Sequence, residues 1–462
     1  MIWSHVFFRY ELCIVAIIIF LFSLWLTIIL KCPQIKCFKQ AWKSLLFKFN
    51  QNFNQGEFTQ AQALTLGLSG TIGIANIAIV SFCVIIAGPG SVLWLMLSAF
   101  LGMSLKFCEG TLGQKFRILK CDQLYVGGPM VTISKVLLQD KEPSQTRLNL
   151  LKNHFLKGVA NVYTLALLVL ILIFGNVLQM NQLLNIFSSQ NQFQFININH
   201  IPFAMMLLLV TLVWNGKFNR LGYFLSRVLP CAFITYIIFC LVIVLLNLDK
   251  ILDILIMIWL DAITWTAHGY DNLFIFTIGT LMGLISHESG LGISSIAHAS
   301  AKTDFPVRQG LIAMLEPFID TILICFLTAL VLLIAMDSGF LPTGYASLNV
   351  KLAFEYFIPW YGPIFDLIMM LLSISCLVSC YFYVGKLIQY MFDLKLSIYT
   401  LVAYCLIIHF GTKLSLIDLL PITILLLPFV ILPNLLCIFI YAKEIKKDLV
   451  VFLTNLDYSL AD

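Results

Sequence analysis

Two apolar stretches of this chain are interrupted by glycine, and each is otherwise long enough to span a lipid bilayer. The interruptions are Gly70–Asn76, with the sequence GTIGIAN, and Glu288–Gly292, with the sequence ESGLG. Glycine inside a lipid-spanning helix frees backbone amides and carbonyls, which hydrocarbon tolerates only where they bind protein, water, an ion or a substrate. Broken helices at matching places in two halves of a chain are typical of a substrate and ion site near the bilayer midplane. The pattern therefore predicts a secondary transporter.

Composition excludes a soluble protein, because 60% of the 462 residues are hydrophobic and only 11% are charged. Mean hydropathy is +0.96. With roughly 20 apolar residues needed for each crossing, we predict an all-α polytopic membrane protein with about eleven transmembrane helices. The first apolar span is too long for a cleaved signal peptide. The spans are expected near residues 12–30, 61–87, 91–110, 158–187, 202–215, 228–247, 272–299, 309–335, 354–392, 396–412 and 417–441.

The distribution of Lys and Arg predicts the orientation, since short loops rich in positive charge stay in the cytoplasm. The loop after the first span contains Lys31, Lys36, Lys39, Lys43 and Lys48. The loops assigned to the other side contain only Arg9, Lys250, Lys351 and Lys413. We therefore expect the N-terminus outside and the C-terminus in the cytoplasm. The net charge of +5 follows from this topology, so we expect membrane lipid and no nucleic acid as a partner. The richness in Phe, Ile, Leu and Asn hints at an AT-rich bacterial genome, and hence at a bacterial plasma (inner) membrane.

No pattern of catalytic or metal-binding residues stands out. The 13 cysteines are scattered, without a CxxC pair or a His-Cys cluster at zinc spacing. Cys376 and Cys380 share one helix face, which we interpret as packing. Ser-His-Asp, HExxH and Walker patterns are also missing from the sequence. We therefore expect neither an enzyme nor a cofactor other than a coupling ion.

The first break can be interpreted in two ways. Unwinding near Gly70–Asn76 would expose carbonyls to a cation on one side and helix N-terminal amides to a carboxylate on the other. Alternatively, the helix is only kinked, and its glycines let a neighbouring helix pack closely. Ser69, Thr71 and Asn76 favour the first interpretation, because close packing alone needs no such polar groups.

The second break resembles a distant copy of the first, since Ser289–Ile293 (SGLGI) is similar to Ser69–Ile74 (SGTIGI) with one residue fewer between the glycines. An acid inside the membrane costs about 3 kcal/mol even on gentle insertion scales, so Glu288 needs a partner or a function. It either caps the restarted helix or handles a substrate amine, a cation or a proton. We interpret His287 and His298 first as hydrogen-bonded packing residues. Further acids in or near the membrane that sequence does not rank are Glu316, Asp320 and Asp366.

Residues 58 to 395 resemble the sodium:alanine (alanine or glycine:cation) symporter family of the amino acid-polyamine-organocation superfamily. The densest similarity lies in the blocks Gly88–Glu109 and Ile296–Gly310. Shorter matches to the family's GPM, GN-hydrophobic-VQ-x-N and DT elements lie at Gly128–Met130, Gly175–Asn181 and Asp320-Thr321.

This resemblance implies the leucine-transporter fold, with one extra N-terminal helix before a ten-helix core of two inverted five-helix repeats. The expected division is 1–57 for the N-terminal helix and its basic cytoplasmic loop, 58–247 for the first repeat, 248–441 for the second, and 442–462 for a cytoplasmic tail. It also implies sodium-coupled symport of a small neutral amino acid. By similarity, the substrate-binding residues are Gly70, Thr71, Gly73, Asn76 and Gln179, with Gly290 and Gly292 contributing backbone groups.

The chain departs from the family at the expected pocket. The family's STxxGW element falls on Ser375–Cys380, so that its Trp becomes Cys380, or Tyr381 if the alignment slips by one residue. Loss of this Trp would enlarge the pocket. The expected sodium ligands are Gly73, Asn76, Ser375 and Cys376, although a thiol replaces a hydroxyl at Cys376.

Three functions stay open from the sequence. The first is sodium-coupled symport of an alanine-like or glycine-like substrate. A proton-coupled amino-acid permease is the second, because His287 beside Glu288 can exchange protons with the medium. The third is a sensor or binding protein that keeps the transporter fold without flux. Oligomeric state is not predicted.

Overall fold

A computed structural model describes residues 2–46, 55–120, 124–135, 147–188, 205, 218–264, 272–394, 398–411 and 416–459. These residues are almost entirely helical, as expected for apolar segments that satisfy their backbone hydrogen bonds internally. In chain order the helices are α1 Ile2–Ile29, α2 Pro33–Lys36, α3 Phe38–Leu46, α4 Gln60–Thr71, α5 Ile74–Ala87, α6 Ser91–Lys115, α7 Pro129–Lys135, α8 Arg147–Ile171, α9 Gln179–Ser188, α10 Phe218–Leu246, α11 Leu248–Ile263, α12 Asn272–His287, α13 Ile293–Ala299, α14 Pro306–Ala313, α15 Leu315–Pro317, α16 Phe326–Asp337, α17 Ala346–Phe357, α18 Gly362–Phe392, α19 Ile398–Gly411 and α20 Leu416–Ser459.

Several of these helices join into longer rods. A π-helical segment, Leu172–Leu178, links α8 to α9, and a second one, Phe318–Cys325, links α15 to α16. A short antiparallel pair, β1 Ile118–Leu119 and β2 Tyr125–Val126, follows α6. In the described part, seven helices are long and apolar enough to cross a membrane, or eight if α4 and α5 form one bent span. The chain is thus a multi-pass membrane protein.

Most predicted spans coincide with helices, with differences at their ends. The span predicted over 354–392 is wrong at its start, because a 3-10 turn at Pro359–Tyr361 separates α17 from α18. Helix α20 continues to Ser459, so the tail expected after residue 441 is helical over most of its length. The span predicted over 202–215 lies outside the described residues except for Met205. The total of eleven helices therefore stays a prediction.

Both predicted helix breaks are confirmed. Helices α4 and α5 meet at a bend of 48° around Ile72-Gly73. Helices α12 and α13 are separated by Glu288–Gly292, where Gly290 and Gly292 have φ values of 90° and 76°. Glycine adopts these left-handed conformations without a steric cost. Glu288 also has a positive φ of 53°, an uncommon conformation for a residue with a side chain.

Helix α6 forms the centre of the bundle and packs against α12, α13 and α14. Gly110 of α6 lies against Gly310 and Ala313 of α14, and a Cβ at Gly110 would come within 2.7 Å of the Ala313 methyl. Small residues at such a contact let two membrane helices approach closely. This packing positions α6 beside the second break.

Hydrogen bonds join four elements beside the start of α4. Glu57, just before α4, donates its backbone N–H to the Ser300 carbonyl at 2.7 Å. The Lys386 ammonium of α18 donates to the Glu57 carboxylate at 2.6 Å and to the Tyr125 carbonyl at 2.9 Å. These hydrogen bonds link the segment before α4 to strand β2, to the end of α13 and to α18 near its end.

Candidate substrate site between the two broken helices

A small cavity lies between the two helix breaks. It is lined by Gly70, Leu170, Ile171, Phe174, Gly175, Ile285, Glu288, Leu291, Ile293, Cys380, Tyr383 and Leu427. The space open to the centre of a water molecule is about 20 Å³, which is enough for roughly one water. Apart from Glu288, Cys380 and Tyr383, the lining residues are apolar or glycine. In this conformation, an amino acid would enter only after lining side chains move apart.

Gln179 spans the first break. Its Oε1 accepts a hydrogen bond from the Ala75 backbone N–H at 3.2 Å. A Cβ built at Gly73 would lie 2.5 Å from the same oxygen, so the close approach requires glycine. Thr71, in contrast, donates its hydroxyl to the Leu68 carbonyl of its own helix at 3.2 Å. Of the residues predicted around this break, the structure therefore brings Gly73 and Gln179 together.

One face of α18 covers the break in α4. The Cys376 thiol donates to the Gly70 carbonyl at 3.3 Å. Cys380 lines the cavity, with its sulfur against Gly175 of the π-helical segment. Tyr381 faces elsewhere, because its ring packs against that of Tyr404 at 5.2 Å. Of the two alternative positions for the family's Trp, Cys380 is thus the one at the cavity.

Tyr383 is a cavity residue that sequence analysis missed. Its hydroxyl donates to the Leu66 carbonyl at 3.2 Å, and a Cβ at Gly70 would lie 3.0 Å from its ring. The signal was present in the sequence, since Tyr383 follows Cys376 and Cys380 by seven and three residues on one helix face. Tyr383 and Phe174 both line the cavity, together with Cys380.

Glu288 is a lining residue of the cavity. Its Oε2 atom is buried, and no described residue hydrogen-bonds to it. Gly290 and Gly292 do not line the cavity in this conformation. The Gly290 N–H instead donates to Glu109 Oε1 at 2.8 Å, and Gly292 lies against Pro129 and Tyr163.

The second break is held by three other elements. Asn434 of α20 donates its amide to Glu109 Oε1 at 2.7 Å and to the Gly290 carbonyl at 2.9 Å. The Tyr163 hydroxyl of α8 donates to the Leu291 carbonyl at 2.7 Å. Sequence analysis did not identify Glu109, Asn434 or Tyr163 as partners of the break, because their local sequence does not indicate which backbone groups they hydrogen-bond.

The two histidines of the second broken helix point away from the cavity. His287 Nε2 lies 3.3 Å from the Ser98 hydroxyl, and its Nδ1 accepts the Ser289 N–H at 3.2 Å. Its ring lines a second small space beside Ile19 of α1. His298 Nδ1 accepts from the Gln309 amide at 2.6 Å, so Nε2 carries the proton that is donated to Glu316 at 2.7 Å.

Glu316 also pairs with Lys106, whose ammonium lies 3.0 Å from Glu316 Oε2 and 2.8 Å from the Ser294 hydroxyl. Both side chains are buried, with 0% and 1% of their surface exposed. This pair connects α6 to the rod formed by α14, α15 and α16.

Each of the four expected sodium ligands contacts a different partner. The Asn76 amide contacts the carboxylate of Asp320, and the Ser375 hydroxyl donates to Leu371 of its own helix at 2.9 Å. Cys376 contacts Gly70, and Gly73 lies against Gln179. Within the described residues, no group of three or more His, Cys, Asp or Glu side chains is arranged to hold a metal ion.

Comparison with known proteins gives a consistent result. The model of the sodium:alanine symporter family matches residues 3–459. The sodium/alanine symporter AgcS of Methanococcus maripaludis is 30% identical over 402 residues, covering 85% of this chain and 84% of the relative. A putative sodium/proton-dependent alanine carrier protein, YrbD of Bacillus subtilis, is 25% identical over 73% of this chain and 68% of its own length. A probable sodium/glutamine symporter, GlnT of Bacillus subtilis, is 22% identical over 96% of this chain and 88% of its own length.

Proposed function

The chain belongs to the sodium:alanine symporter family, and we propose that it carries a small neutral amino acid across the membrane together with sodium. The observation that carries this proposal is the cavity between the two helix breaks, with one carboxylate among apolar walls. An enzyme would need a convergent acid-base set or a metal centre, whereas a carrier needs a site that both sides can reach in turn.

The lining of the cavity favours a substrate with an amine and a short aliphatic side chain. The buried Oε2 of Glu288 is an acceptor without a donor among the described residues, and a substrate ammonium would supply three N–H donors. Leu170, Ile171 and Leu291 would surround the aliphatic part. We propose alanine or glycine as the substrate, because walls of Leu and Ile offer no partner for a polar side chain.

The first break would bind the substrate carboxylate. The N-terminus of α5 presents backbone N–H groups, and the positive end of a helix dipole favours an anion. The Gln179 amide lies beside this terminus and could donate to the same carboxylate. We therefore retain Gly70, Thr71, Gly73, Asn76, Gln179 and Cys380 as substrate-site residues, with Gly290 and Gly292 shaping the opposite break.

The architecture behind this function is the second part of the proposal. We propose eleven transmembrane helices, with two inverted repeats over 58–247 and 248–441 after an N-terminal helix within 1–57, in a bacterial plasma membrane. The N-terminus would lie outside and residues 442–462 in the cytoplasm. One bundle would rock against the other around the broken helices. A sodium ion crossing about 100 mV releases about 2.3 kcal/mol, and a tenfold gradient adds about 1.4 kcal/mol.

Proton coupling is the second candidate. Several buried carboxylates near the breaks, including Glu109 and Glu288, have no cationic side chain at ion-pair distance among the described residues. Such groups can carry protons across the membrane as well as bind a cation.

Uptake of labelled amino acids into proteoliposomes would test the proposal under an inward sodium gradient, an inward proton gradient or no gradient. We expect sodium-driven accumulation of alanine or glycine, lost in Gln179→Ala and Asn76→Ala. Asn247→Ala, at the junction of α10 and α11, is the control and should transport normally. Accumulation driven only by protons would select the second candidate. Background uptake of every amino acid under every gradient would contradict amino-acid symport.

A further inference from the structure

A basic stretch of chain connects the first membrane span to the first broken helix. Residues 31–56 contain five lysines and neither Asp nor Glu. The lysines in the described part of this stretch are Lys31, Lys36, Lys39 and Lys43. Among the described residues, no carboxylate lies within ion-pair distance of any of these four. Lys115 at the end of α6, in contrast, contacts the carboxylates of Glu444 and Asp448. The positive charge of the stretch is therefore not balanced by the described part of the protein.

The two helices in this stretch lie at the boundary of the membrane. Helix α1 is long and apolar enough to cross the membrane, and it ends at Ile29. The chain then turns at Lys31 and Cys32, which have φ values of 61° and 57°, and α2 begins at Pro33. With 4 and 9 residues, α2 and α3 are about 6 and 14 Å long, too short to cross about 30 Å of hydrocarbon. Both helices therefore follow the span at one surface of the bilayer.

One face of this helical pair packs on the protein. The Gln34 amide of α2 donates to the Thr27 hydroxyl of α1 at 3.1 Å. In α3, Ala41 is buried, and the helix packs against α14. The ring of Phe38 lies edge-on to that of Phe318, with the ring centroids 4.9 Å apart. Because Phe318 opens the second π-helical segment, α3 supports the rod that contains α15 and α16.

The opposite face combines apolar and positively charged side chains. Helical hydrogen bonds continue between α2 and α3, since the Cys37 carbonyl accepts the Ala41 N–H at 2.9 Å. Ile35 and Leu46 are 64% and 71% exposed, and Lys39, four residues after the first and seven before the second, is exposed on the same face. We call this surface the basic face, and its residues are Ile35, Lys36, Lys39, Lys43 and Leu46. Exposed apolar residues beside lysines are typical of a helix in the membrane interface, where apolar side chains reach the acyl chains and ammonium groups reach the phosphates.

We propose that the basic face binds the phosphate headgroups of anionic phospholipids. Each lysine near an anionic membrane surface is attracted to it, and the stretch contains no acid to offset this attraction. A soluble acidic partner would leave Ile35 and Leu46 in water, whereas a lipid covers them with its acyl chains. The direct connection of α2 to α1 also makes lipid the neighbour of this surface.

Bound lipid would hold α3 in its position on the protein. Helix α3 contacts α14 and, through Phe38, the second π-helical segment. Anionic lipid on the basic face therefore stabilises this part of the bundle, and zwitterionic lipid stabilises it less. Binding at this surface does not depend on the proposed symport, so it can be measured without transport.

The purified full-length protein is titrated in neutral detergent with phosphatidylglycerol or with phosphatidylcholine. The Tm gives the stabilisation, and native mass spectrometry counts the bound lipid molecules. The test variant combines Lys36→Gln, Lys39→Gln and Lys43→Gln, and a second variant replaces the same three lysines by Arg. The control combines Lys443→Gln, Lys446→Gln and Lys447→Gln, an equal loss of charge on α20, where Glu444 and Asp448 share the helix.

We expect phosphatidylglycerol, and not phosphatidylcholine, to raise the Tm of the wild type, the Arg variant and the control. The Gln variant should need about tenfold more phosphatidylglycerol for half of this increase, and added salt should weaken the wild-type response. If the Gln variant fails to fold, Lys36→Gln and Lys39→Gln decide singly, and each should need at least about twofold more lipid.

A wild-type response in the Gln variant would overturn the proposal, as would an equal response to phosphatidylcholine. Loss of the response in the control as well would show that net charge, rather than the basic face, determines it. Stabilisation by inorganic phosphate or by polyglutamate that equals that by phosphatidylglycerol would indicate a soluble anion as the ligand and would also contradict lipid binding.

Discussion

Gln179 covers Gly73 at the break between α4 and α5, and its Oε1 accepts the Ala75 N–H at 3.2 Å. Gln179 opens α9 immediately after a π-helical segment, so a widened turn in one helix faces the break in another. The missing side chain at Gly73 is what permits this approach.

Gly73→Ala should therefore reduce uptake at least tenfold. The added methyl would lie 2.5 Å from Gln179 Oε1, which forces the amide away from Ala75. Initial uptake rates in proteoliposomes would measure the loss. Gly158→Ala is the matched control, because a Cβ there meets nothing within 4 Å. Wild-type uptake by Gly73→Ala would show that the contact is dispensable.

Glu288→Gln should raise the KM for the amino acid by about ten- to a hundredfold. A hydrogen bond to a charged group contributes about 1.5–3 kcal/mol, and the neutral amide would lose most of it toward a substrate ammonium. The concentration dependence of uptake gives KM, with Glu444→Gln as a control at a carboxylate that is 40% exposed. Propionate, which lacks the amine, should not inhibit amino-acid uptake by either protein. An unchanged KM would remove Glu288 from the substrate site.

Cys380 should make transport sensitive to thiol reagents. Its sulfur lies at the cavity and against Gly175, so a methanethiosulfonate adduct would fill the little space present. We expect the reagent to abolish uptake by the wild type. Excess substrate should protect the wild type from the reagent, and uptake by Cys380→Ser should be insensitive to it. Cys231→Ser, at an exposed cysteine, serves as the control and should stay sensitive. Inhibition that persists in Cys380→Ser would place the reactive thiol elsewhere.

Lys106→Met should destabilise the protein by roughly 3–5 kcal/mol, because it leaves the buried Glu316 carboxylate without its cation. Glu316→Gln in the same chain removes that charge, so the double variant should recover much of the loss. Thermal unfolding followed by intrinsic fluorescence would compare wild type, both single variants and the double variant. Additive losses would indicate that the two side chains act independently.

The sequence alone determined the membrane class, most of the helices and both breaks. Hydropathy and glycine act locally, since lipid requires apolar residues along the whole span and a broken helix requires glycine at the break itself. Gln179 was also identified, although only through the family resemblance and without its contact to Ala75.

Only the tertiary structure decided which side chains share a site. Tyr383, Glu109 and Asn434 reach the breaks from α18, α6 and α20, and Asp320 meets Asn76 across 244 residues of sequence. Local periodicity predicts that such residues are buried, but it does not predict which residues of other helices they contact. The π-helical turns that position Asp320 and Gly175 are likewise set by packing between helices, because a single inserted residue in a turn leaves no distinct pattern in an apolar sequence.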